Sequence, residues 1–226
     1  MMHFAATGTS FLALIFAAVG AFTTFIETTN KKEGKYFMRY DAKGQCVNFG
    51  VEICQTWEEA KKSADEDPNS NWEGSVGQQL QLAGTFALMA FIFSIIVFLI
   101  VAAATGAKVA PALDAAKRKL IFQISAGVGG LAALMSLIGW FLIVDVYTAS
   151  GSASCGGKDC SMADSAKENA DGDTFVGPNL AEGFAFQILA FITLIATAAL
   201  AGVAGSQEEE GEEAGKPTAP ADAVAV

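Results

Sequence analysis

The chain has 226 residues, 52% of them apolar, with 24 acidic side chains against 14 basic ones and a formal net charge of −10. That acidic balance speaks against nucleic acid as a partner. Apolar content this high beside so many charges does not suit a soluble domain unless the two are segregated, and here they are: charges vanish from four long runs and crowd between them.

The runs are Phe4–Ile26, Leu82–Ala104, Leu120–Val144 and Phe184–Val203, and none contains Lys, Arg, Asp or Glu. A bilayer core about 30 Å thick needs roughly 20 helical residues, so all four are expected to cross a membrane. The first run has no basic residue before it and is longer than the ~7–15 apolar residues of a signal peptide. It therefore reads as a retained helix.

The polar segment 27–81 follows, and it holds two of the four cysteines, Cys46 and Cys54. Between them "CVNFGVEIC" alternates, with Val47, Phe49, Val51 and Ile53 on one face, which is a strand period. A single straight strand would hold the two cysteines about 26 Å apart at ~3.3 Å per residue, whereas a disulfide needs Cα atoms within about 7 Å. If they pair, the chain doubles back near Asn48–Gly50, where Asn and Gly tolerate a turn. Next, "TWEEAKKSADEDP" places Trp57, Ala60 and Ala64 on one side of a short amphipathic helix. Trp57 and Trp72 suit either interfacial anchoring or packing under the segment. Asp65, Asp67 and Asn69 begin a pattern like that of calcium loops, but Ser70 stands where a glycine is needed and Val76 where a bidentate Glu is needed. A solvated turn is expected there, and no metal.

The second run, including "FALMAFIFSIIVFLIVAAA", is apolar all round. The short hinge 105–119 carries Lys117, Arg118 and Lys119, which favours a cytosolic hinge. In the third run Ser125, Gly129 and Ala133 recur every four residues; in the fourth, Thr193, Thr197, Ala201 and Gly205 do the same. Small-residue rows of this kind drive helix association in lipid. They either pack the two runs together or face a neighbouring molecule. Between these runs, segment 145–183 holds Cys155 and Cys160 in "SCGGKDC". Asp145, Glu27 and Glu182 fall at run ends, as carboxylates at headgroup level.

With four spans, segments 27–81 and 145–183 share one side. Paired cysteines persist in oxidising compartments, and C-x7-C and C-x4-C lack the tight spacing of zinc knuckles. Disulfides Cys46–Cys54 and Cys155–Cys160 on the outside are expected, with both termini cytosolic. Residues 205–226 form an acidic, then Ala/Pro-rich tail, too poor in apolar surface to fold. It ends Val224-Ala225-Val226, the kind of carboxylate end that PDZ-type cytosolic partners capture. His3 is the only histidine, and no metalloprotease helix, phosphate loop or nucleophile elbow is present. "GVGG", Gly127–Gly130, lies within the third run. Neither an enzyme nor a cofactor is expected.

Four helices, short ends, a larger β-rich first segment with a close cysteine pair and a smaller second one resemble the claudin superfamily, which includes peripheral-myelin-protein relatives and amastins. Cys46 and Cys54 match that family's pair. Its Trp and Gly-Leu-Trp before the first cysteine are replaced by "YFMRYDAKGQC", and Cys155 and Cys160 are additional. The resemblance implies a four-helix membrane bundle, residues 1–204, carrying a small disulfide-clamped extracellular sheet from the first loop. It also implies a structural role at the cell surface: lateral self-assembly as a homo-oligomer, membrane organisation or adhesion. The alternative is an auxiliary subunit of a channel or transporter. A transporter in its own right is disfavoured by the absence of charges from the runs.

Overall fold

The computed structural model describes residues 2–30, 36–41, 43–48, 51–66, 74–109, 114–149, 153–155, 158–171 and 175–214. In chain order the elements are α1 (Met2–Phe22), β1 (Ile26–Asn30), β2 (Tyr36–Tyr40), β3 (Gly44–Asn48), β4 (Glu52–Thr56), α2 (Trp57–Glu66), α3 (Gly74–Val109), α4 (Ala115–Thr148), β5 (Ala153–Cys155), β6 (Lys158–Cys160), α5 (Met162–Asp171), β7 (Phe175–Leu180) and α6 (Glu182–Ala214). Helices α1, α3, α4 and α6 are each long and apolar enough to cross a membrane. They contain the four apolar runs, apart from the end of the first.

Two boundaries differ from the sequence reading. The first helix stops at Phe22, and Phe25 and Ile26 turn into the sheet, where both are fully buried. Burial under a sheet satisfies these apolar side chains as well as lipid would. At the other end of the chain, α6 continues through "SQEEEGEEA" to Ala214, beyond the expected start of the tail at 205. Glu, Gln and Ala are good helix formers, and extending an existing helix avoids the cost of a new nucleus. Residues 215–226, including Val224–Val226, lie outside the described residues.

The four long helices form a ring in which α1 packs on α3, α3 on α4, α4 on α6 and α6 on α1. At one end, the hinge end, Ala6, Val97, Val101, Ala104, Phe122, Ala201 and Ala204 fill the interior. In the middle Ala13, Ala132, Ala133 and Leu194 do so. Most of these residues are small, so the backbones approach closely, as expected where dispersion rather than water exclusion holds helices together.

The opposite end carries a five-stranded antiparallel sheet in the order β4-β3-β2-β1-β7. The expectation was a sheet from residues 27–81 alone. Instead β7, from segment 145–183, lies along β1, with Ile26 opposite Leu180 and Asn30 opposite Phe175. An unpaired β1 edge has backbone donors and acceptors to satisfy, and β7 supplies them. Gly177 in β7 has φ +103°, and a Cβ there would lie 2.7 Å from the Glu27 carbonyl oxygen, so only glycine fits this crossing. A separate hairpin pairs β5 with β6.

The sheet sits on the helix ends over a core of Phe25, Ile26, Trp57, Val76, Leu80, Ala83, Ile143, Val146 and Met162. Its attachment is also polar: Ala181 N–H donates to Phe25 O (2.8 Å), Gly183 N–H to Thr24 O (2.9 Å) and Tyr147 Oη–H to Pro178 O (3.1 Å).

Candidate functional site

The part of the molecule with the most distinctive chemistry is the β3–β4 hairpin. Gly44–Asn48 and Glu52–Thr56 pair antiparallel, with Cys46 directly opposite Cys54 and Val47 opposite Ile53. The chain therefore does double back as the cysteine pair required, and Cys46 and Cys54 are disulfide-bonded with Cα atoms 4.1 Å apart. Because side chains alternate along a strand, the two sulfurs lie on one face and Val47 and Ile53 on the other.

Strand β4 is the edge of the sheet, and all five of its residues are exposed. Among its apolar neighbours, Val51 is 72% exposed and Ile53 is 56% exposed. Cys46, one strand inward, is only 6% exposed. Edge strands in native proteins are normally blunted, because unpaired backbone groups beside apolar side chains invite another strand.

A groove of about 330 Å³ opens beside the disulfide and is lined by Arg39, Asp41, Lys43, Cys46, Cys54 and Glu59, among others. Each acid has a local task. Asp41 Oδ1 accepts from Lys43 N–H (2.7 Å) and Gly44 N–H (3.0 Å), closing the β2–β3 turn. Glu59 Oε2 accepts from Thr56 N–H (2.8 Å) and Thr56 Oγ1–H (3.0 Å), while Thr56 Oγ1 accepts from Glu59 N–H (3.2 Å). This reciprocal pair caps α2, and its hydrogen bonds, the backbone one foremost, hold the Glu59 carboxyl below the ordinary value.

Trp57, at the start of α2, is buried, and its ring stacks on Tyr40 with centroids 6.1 Å apart. Its Nε1–H donates to Asp41 O at 3.1 Å. Of the two readings left open for Trp57, packing under the segment is the one found. Burial pushes the Tyr40 phenol up to about 12.

Inside the bundle, Ser and Thr hydroxyls mostly donate back to their own helix, as Ser94 does to Ala90 O (2.7 Å) and Ser125 to Ile121 O (2.8 Å). Gln187 on α6 differs and was missed in the sequence. It is 2% exposed. Its Nε2–H donates to Gly20 O on α1 (3.4 Å), and its backbone carbonyl accepts from Ser136 Oγ–H on α4 (2.9 Å). Its Oε1 lies 2.7 Å from the position a Cβ would take on Gly139, a point that is also 3.3 Å from Ala83 O on α3. Only glycine leaves room there for the amide oxygen, which is buried without a hydrogen-bond partner among the described residues. The Gln187 side chain thus bonds to α1 and lies against α4. A lone Gln near the start of an apolar run was the available signal.

Two glycines of the small-residue rows, Gly129 on α4 and Gly205 on α6, face the other helix. A Cβ on Gly129 would lie 3.4 Å from Ala198 Cβ, and one on Gly205 would lie 3.4 Å from Phe122 Cβ. Ser125, Ala133, Thr197 and Ala201 are buried and Thr193 is half-buried. Asp145 is exposed near the end of α4 and accepts from Gln79 Nε2–H at 3.2 Å.

Cys160 is disulfide-bonded, while the Cys155 side chain lies outside the described residues. The backbone of Asp65 lies in the last turn of α2; Asp67, Asn69 and Trp72 lie outside the described residues. The Cys46 and Cys54 sulfurs and a Glu52 carboxylate oxygen lie within 4.8 Å of one another, but the sulfurs are spent on each other. No family model matches the chain, and no curated protein matches it either.

Proposed function

We propose that the protein is a multi-pass membrane protein that self-associates side by side through its sheet, organising the membrane rather than catalysing a reaction. The observation that carries this reading is the open β4 edge, with Val51 and Ile53 exposed beside it. A second copy of the same edge, antiparallel to the first, would satisfy both rows of backbone groups and cover both apolar pairs in one isologous contact. The four-helix layout with a cysteine-clamped sheet supports the claudin-superfamily likeness. In this reading the sheet lies outside the cell and the hinge Lys117–Lys119 in the cytosol.

Two differently tagged copies, co-expressed and crosslinked in intact membranes, test it. Ile53→Lys is expected to abolish co-purification while leaving the Cys46–Cys54 bond and the melting temperature intact. Undiminished co-purification would remove the edge from the assembly. Wild-type copies that stay separate but crosslink to another membrane protein at β4 would replace self-assembly with an auxiliary-subunit role.

A further inference from the structure

We infer that the Cys46–Cys54 bond is a directional thiol-exchange site, at which a small zwitterionic thiol of the glutathione class adds to Cys54 and not to Cys46. The inference stands apart from self-association and rests on strand order. Thiol–disulfide exchange proceeds by attack of a thiolate on one sulfur, with the other leaving. The attack is in line, so the nucleophile must approach along the extension of the S–S axis.

Cys46 holds one end of that bond on β3 and Cys54 the other on β4, the last strand of the sheet among the described residues. Cys54 stands on that outer strand, whose residues are all exposed. On the inner side of Cys46 lies β2, where Arg39 sits directly opposite Cys46, and Cys46 is itself buried. One sulfur can be approached in line and the other is backed by a side chain.

The chemistry agrees with the direction. As the incoming thiolate forms a bond to Cys54 Sγ, the Sγ–Sγ bond breaks and its electron pair leaves on Cys46 Sγ. The external thiol is oxidised to a mixed disulfide, Cys46 is reduced to a thiolate, and no further oxidant is needed. Arg39 lies across the sheet from the leaving sulfur, and a neighbouring cation favours a thiolate. Glu52 Oε1 is 3.3 Å from Cys54 Sγ, and its charge is offset by Arg39 Nη2 at 2.8 Å. The groove beside the bond carries Arg39 and Lys43 with Asp41 and Glu59, cations and anions together, which suits a thiol bearing both carboxylate and ammonium groups.

The test uses the purified full chain in detergent below its melting temperature. It is incubated with millimolar reduced glutathione, then quenched with excess N-ethylmaleimide, which caps the remaining glutathione and the freed sulfur, and digested without reduction. Mass spectrometry is expected to find glutathione on the Cys54 peptide and maleimide on the Cys46 peptide, in at least tenfold excess over the reverse. Equal labelling, adducts mainly on Cys46, or no adduct until the protein is unfolded would each overturn the proposal. In Arg39→Gln, which uncovers the back of Cys46, the excess should fall toward parity while the melting temperature stays within a few degrees. An unchanged ratio in that folded variant would overturn the role given to Arg39.

Discussion

Arg39 on β2 reaches across β3 to Glu52 on β4, with Nη2 and Oε1 2.8 Å apart, so one ion pair spans three strands on the face that carries the disulfide. Both side chains are substantially exposed, at 34% and 44%, and solvent screens the pair. Glu52→Gln is therefore expected to lower stability by less than about 1 kcal/mol. The loss should shrink further as salt is raised, and thermal melts at two ionic strengths measure both effects. A loss of several kcal/mol would mean that the pair, rather than the disulfide, holds the edge hairpin.

The bundle should distinguish its glycines sharply. A methyl on Gly20 would meet Gln187 Cγ at 2.9 Å and Gln187 N at 3.1 Å, whereas nothing lies within 4 Å of one on Gly127. Gly20→Ala is expected to cost about 1–3 kcal/mol, because α1 and α6 must part. Gly127→Ala should be neutral or stabilise by up to ~1 kcal/mol through lower chain entropy in the unfolded state. Melting temperatures in a single detergent check this pair. Gly129→Leu, pressed against Ala198, should behave like Gly20→Ala; a stable Gly129→Leu monomer that no longer self-associates would move the α4 row to an intermolecular contact.

Tyr40 titrates outside the long helices, and its phenol is raised to about 12 by burial beside Trp57. The neutral form is favoured in the folded state, so its contribution to stability is complete below the ordinary value of 10 and is lost as pH rises from 10 toward 12. Phenolate absorbance during alkaline titration should show one tyrosine ionising late, together with loss of the sheet. Tyr40→Phe, with no proton to lose, should shift that unfolding to higher pH.

Unreduced peptide mapping should join Cys155 to Cys160. The chain-entropy model gives about 2 kcal/mol for closing so short a loop, so Cys155→Ser should destabilise the β5–β6 hairpin by about that amount while the Cys46–Cys54 bond persists. A peptide linking Cys160 to another chain would make the second hairpin an intermolecular staple.

What the sequence determined by itself was local. Run length fixed the four long helices, because the thickness of a bilayer sets a residue count. Alternation with Asn48 and Gly50 between two cysteines implied the β3–β4 hairpin, and the spacing of Trp57, Ala60 and Ala64 implied α2. The tertiary structure decided the rest. Ile26 and Leu180 are paired across most of the chain, and nothing local specifies that contact, since the edge of β1 offers the same backbone groups to any strand. The same holds for Gln187: an amide inside a helix reads alike whether it faces lipid, water or a core. Only the close passage of Gly20, Ser136 and Gly139 gives it partners. The direction of attack on the Cys46–Cys54 bond is also tertiary. The two cysteines are chemically equivalent in the sequence, and they differ because, among the described residues, β4 has no strand on its outer side and β3 has Arg39 on its inner one.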